Sequence, residues 1–145
     1  MRAVCVGLLA ALLGGPAEAA RLAVPLPELC AGSALVVLAE VTGSEPEPTE
    51  QGLLLTSYDL AVIRVIRGEL PAEPPRVIVP GGSDGEVRLL VSEAAKLQVD
   101  GRYLLLLSRR AQGGYLVRGG PDGAIPVAAG EEEAALARLG SCRAP

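Results

Sequence analysis

The sequence predicts an all-β barrel of five or six strands with a short C-terminal helix. Three observations carry this reading. Short apolar runs recur along the chain, separated by glycine- and proline-rich turns, which is the pattern of small antiparallel barrels. The runs at 34–41 and 102–107 are apolar on both faces, as in strands covered on two sides or curled into a barrel. The period changes only at the end, where "GEEEAALARLGSC" reads as a helix near 130–139.

The first segment, "MRAVCVGLLAALLGGPAEAA", has a basic start at Arg2 and then a short apolar run, broken at Gly14-Gly15-Pro16. Ala17 and Ala19 supply the small residues that a signal peptidase reads, so residues 1–19 are expected to be a signal peptide, with Cys5 lost alongside it. The run is too short to span a bilayer comfortably, so no transmembrane segment is expected in the mature chain. Residues 20–145 then form one barrel domain, exported to a periplasm or to the medium.

The mature chain opens with "RLAVPLPEL", where Pro25 and Pro27 favour an extended lead or a turn. The first strand covers 34–41. Residues 43–52, with Pro46, Pro48 and three glutamates, read as a polar connection. One long strand follows, ending at Gly68. Its apolar pattern changes face after Val62, which implies a bulge or sharp coil near Ala61. "RVIVP" is a short third strand, and "GGSDG" is a turn. In 86–92, Val87, Leu89 and Val91 alternate with polar residues as in a half-buried strand, while 93–98 reads equally as helix or loop. After the Asp100-Gly101 turn, residues 102–107 form the central strand, 115–118 its hairpin partner, and "AIPV" an edge strand demoted by Pro126. In the terminal helix, Glu131, Glu132 and Glu133 suit the positive end of the dipole and Gly140 suits the stop.

Composition excludes several function classes. There is no histidine, so neither a Ser-His-Asp nor a Cys-His arrangement can be built from one chain. Net charge is -4, and only Tyr58, Tyr103 and Tyr115 are aromatic, which disfavours binding to nucleic acid. No cofactor is suggested. The candidates for an enzyme are Ser92 with Lys96, which share a face if that segment is helical, Asp59 with Tyr58, and the carboxylates Asp84 and Glu86. Asp84 and Glu86 are too few carboxylates for an ordinary calcium loop. Ordinary turns and strand surfaces explain all of these residues more simply, so no catalytic residue is assigned.

Cys30 on its own fits a core thiol, a metal ligand, a nucleophile or half of a disulfide. Loss of the signal leaves Cys30 and Cys142, and an even pair in an exported chain reads as one disulfide. Two unrelated thiols are the alternative, with a metal site weaker still. A bond between them joins the start of the first strand to the end of the last helix.

"LCAGSALVVLAEV", "TSYDLAVIRVIRG" and "GRYLLLL", in this order, resemble the netrin-like domain family, whose best-known members are the tissue inhibitors of metalloproteinases. In that family a cysteine precedes an apolar first strand, and a long second strand ends in a basic residue and glycine, as Arg67-Gly68 does here. The chain is also similar to exported bacterial proteins that share the Pro80-Gly81-Gly82 turn. The resemblance implies a closed or partly open OB-type barrel with a flanking helix, and a disulfide that maps onto Cys30 and Cys142. The inhibitors act through a cysteine at the mature N-terminus, which has no counterpart near Ala20 or Arg21. The expectation is therefore a secreted, non-enzymatic binding module whose partner is a secreted or envelope protein, a protease being one candidate. Residues 43–52 and 81–85 are expected to carry contacts, because barrel rims and loops are where such folds bind. An inhibitor-like protein, a small exported enzyme and a structural envelope protein are the alternatives.

Overall fold

The computed structural model describes residues 23–142. The expected signal, its cleavage site at Ala19 and Cys5 lie outside the described residues. The lead into the barrel is helical rather than extended: α1 spans Leu26–Ala31. Pro27 stands in its first turn, where a missing N–H costs nothing. Ser33 closes the far end by donating its hydroxyl to the Leu29 carbonyl at 2.6 Å. Leu29 and Cys30 form the buried side of this helix.

Two long strands follow, β1 (Leu35–Pro48) and β2 (Leu54–Arg67), paired antiparallel along their length. β1 therefore continues through 43–48, which the sequence suggests is a loop. Its second edge pairs with β6 (Arg102–Arg109) only as far as Glu40, so Pro46 and Pro48 lie where that edge is free and a missing N–H is tolerated. The ladder slips at Thr42, Ile63 and Ile66, each an extra residue without a counterpart. The slips at Thr42 and Ile63 flank the Glu40–Ala61 pair, where a bulge was expected from the change of apolar face.

β3 (Arg76–Pro80) pairs antiparallel with β2 and parallel with β7 (Tyr115–Val117), and β7 returns to β6. Because β6 also pairs with β1, the order β1-β2-β3-β7-β6-β1 closes a five-stranded barrel of OB type. β8 (Ala124–Pro126) adds to β6 beside β7. Between β3 and β6 the chain forms only a minimal hairpin, β4 (Gly82–Ser83) with β5 (Arg88–Leu89). The expected strand over 86–92 thus shrinks to two residues. Asp84 is the physical reason: its Oδ1 accepts from the N–H groups of Glu86 and Val87 at 2.9 and 2.7 Å, an Asx turn that bends the chain there. Residues 93–98 are not helical, and their Ala94, Ala95 and Leu97 pack into the barrel core.

Strand alternation explains why β1 and β6 are apolar on both faces. Leu35, Val37, Ala39, Leu105 and Leu107 point into the barrel. Val36, Leu38, Leu104 and Leu106 point out and are covered by α1 and by α2 (Glu132–Arg138) through Leu29, Leu136 and Leu139. The acidic first turn of α2 is tied down, since Arg102 donates to Glu132 Oε1 at 2.9 Å and to Glu40 Oε2 at 3.3 Å. The structure joins Cys30 to Cys142 beneath both helices, their Cα atoms 5.2 Å apart and both residues buried. Among the described residues no helix is long and apolar enough to cross a membrane.

Candidate functional site

One cleft lies where residues 81–97 pass from β3 to β6. The loop hugs the end of β2. Gly81 donates its N–H to the Leu54 carbonyl at 2.8 Å, and Thr56 Oγ1 donates to the Gly81 carbonyl at 2.7 Å. Gly82 has φ +120°, and a Cβ there would run into Thr56 Oγ1, so only glycine permits this approach. The cleft between loop and strands has a volume of about 580 Å3, within the size range of small-molecule pockets. Its walls include Tyr58, Val79, Leu89, Val91 and Leu97, with Thr56, Arg88, Ser92 and Lys96 among its polar residues and no carboxylate. Burial, and then the neighbouring Tyr103, push the Tyr58 phenol above its ordinary pKa, so it stays neutral. In its wall Leu90 is 78% exposed, and Val87, on the same loop, is 59% exposed.

The enzyme candidates are not assembled here. Ser92 and Lys96 both line this cleft, but the segment is a loop, so the helical face that would align them does not form. Among the described residues no hydrogen bond joins them. Tyr58 packs against the barrel core, while Asp59, the next residue along the strand, pairs with Arg76 at 3.2 Å. The Asp84 carboxyl is held below its ordinary pKa first by the Val87 N–H and then by that of Glu86. Glu86 meets Asp84 through its backbone rather than its carboxylate. Among the described residues no group of three or more His, Cys, Asp or Glu is placed to hold a metal.

A second cleft, of about 410 Å3, lies over β2 and β3. Ser57 and Ile78 are register partners, and both line it. Across it, Arg110 in the β6–β7 hairpin pairs with Glu47 of β1 at 3.1 Å. Arg76 is held by Asp59 at 3.2 Å and by Glu45 at 3.7 Å. Ser57 Oγ is buried and has no hydrogen-bond partner among the described residues. The contact loops expected from the sequence therefore reach both clefts, 43–52 through Glu45 to Glu47 and 81–85 through Gly81 and Gly82. Ser57, Arg88 and Arg110 carry no motif that would have marked them. No family model matches the chain, and no curated protein matches it.

Proposed function

We propose that the chain is an exported, non-enzymatic binding module of netrin-like type that engages a secreted or envelope partner through the mouth of its barrel. One observation carries the reading. Residues 81–97 hold Leu89 and Leu90 exposed in the wall of the 580 Å3 cleft, with Val87 exposed on the same loop, which is anchored to a closed barrel. Clustered apolar side chains at a concave rim mark interaction sites. The OB-type strand order and the tie between the helix before β1 and the chain end after α2 support the family resemblance.

The test is a pull-down of the mature, disulfide-intact chain from the secreted fraction of the producing cell, run beside Leu90→Asp. The expected result is a defined partner that the variant no longer captures, with both proteins melting alike. Equal capture by both proteins, or none by either, overturns the reading.

A further inference from the structure

We infer that the mouth cleft takes the chain of a single long-chain alkyl carboxylate, its head group held by Arg88 and Lys96. The inference goes beyond the proposed function and rests on its reading of this region as a binding site: the protein partner meets the exposed Leu90, and the alkyl chain lies in the cleft behind it. The first observation is one of charge. The protein carries a net charge of -4, yet the cleft wall holds two cations and no carboxylate. Among the described residues Arg64, Arg76, Arg102 and Arg110 each pair with a carboxylate, whereas Arg109, Arg118 and Arg138 do not and line no part of this cleft. Among the described residues, the side chains of Arg88 and Lys96 have neither an ion pair nor a hydrogen bond. Both are exposed beside an apolar wall, which is where a carboxylate attached to an apolar body finds its charge partner.

The second observation is the scarcity of other polar groups. A peptide brings N–H and C=O groups that must be satisfied on burial. The Thr56 hydroxyl is already committed to Gly81, which leaves Ser92 and the Tyr58 phenol as the other uncharged polar side chains of the wall, too few to satisfy a peptide backbone. An alkyl chain brings no such groups. A bilayer surface fits less well, because Asp84, Glu86 and Glu93 stand on the same loop and would face its anionic head groups.

Calorimetric titration of the disulfide-intact mature chain with hexadecanoate below its micelle concentration tests this. The expected result is saturable binding of one molecule per chain. Hexadecanol should bind about tenfold more weakly, since each exposed ion pair is worth up to about fivefold. Arg88→Met with Lys96→Met should lower carboxylate affinity by about tenfold while leaving alcohol binding unchanged. Raising salt from about 20 mM to about 500 mM should weaken only the carboxylate. Shortening the chain should cost roughly fourfold per methylene lost from the cleft. Equal binding of alcohol and carboxylate overturns the inference, as does a double variant that folds and binds as before. Tighter binding of a leucine-rich peptide with a free C-terminus, or binding only to phosphatidylglycerol vesicles, also overturns it. Failure of carboxylate binding with Leu90-dependent protein capture intact sinks this inference alone; failure of both sinks the binding reading with it.

Discussion

The Arg67 guanidinium donates to the Cys30 carbonyl oxygen at 2.8 Å, which fastens the end of β2 to the helix that carries the disulfide. The next residue completes the fastening. Gly68 has φ +87°, and a Cβ there would strike the Ala34 carbonyl. Arg67→Met should lower unfolding free energy by about 1.5–3 kcal/mol, the range for a hydrogen bond to a charged group. Gly68→Ala should cost about 2 kcal/mol or more, from positive φ plus the collision. Urea denaturation measures both, and a Gly68→Ala protein as stable as wild type would mean that the strand end is not held so tightly.

The Cys30–Cys142 link closes a loop of 112 residues between α1 and the chain end beyond α2. Replacing both cysteines with serine should lower stability by roughly 2–5 kcal/mol. Hydrogen exchange should rise first in α1 and α2 and last in β6. Peptide mapping of the non-reduced protein checks the pairing itself, and two free thiols would refute it.

Burial separates two leucines of similar chemistry. Leu105 is fully buried and points into the barrel, and Leu105→Ala should cost about 2–5 kcal/mol. Leu90→Ala should change stability by less than about 0.5 kcal/mol, because its side chain already stands in water. Thermal melts of the two variants check this directly.

Acid should loosen α2. The Glu132 carboxyl is held below its ordinary pKa first by its own backbone N–H, with Arg102 adding to the effect. A carboxylate whose folded pKa is depressed contributes stability above its unfolded pKa, and that contribution is lost as pH falls through the folded value. Stability should therefore drop below the usual carboxylate range, and Glu132→Gln should flatten that part of the curve. An unchanged acid limb in the variant would show that the Arg102 contact contributes nothing measurable.

Elements bounded by local signals were legible in the sequence: β2 stops at Gly68, β3 at Pro80, and α2 lies between an acidic turn and Gly140. Elements set by distant partners were not. Pro46, Pro48 and the glutamates between them look like a loop, and only pairing with 54–57, itself backed by β3, makes them a strand. Val87, Leu89 and Val91 alternate like a half-buried strand, but the Asx turn at Asp84 bends the chain there and leaves Val87 and Leu89 exposed. Pro25 and Pro27 suggest an extended lead, yet proline suits a helix start equally well. The second cleft left no local trace either, since Arg110 and Glu47 are 63 positions apart.

The parallel pairing of Val77 with Tyr115 has a kinetic consequence. Until Tyr115 is available, β3 has no second neighbour and the barrel is an open sheet with a sticky edge. A chain made from its N-terminus therefore cannot complete its ring until residues 115–117 have emerged. Such late, long-range closure belongs to folds that take milliseconds to seconds rather than microseconds. In that interval the unpaired β3 edge is the place where a second, half-made copy would add itself, so dilution during refolding should raise the yield of monomer.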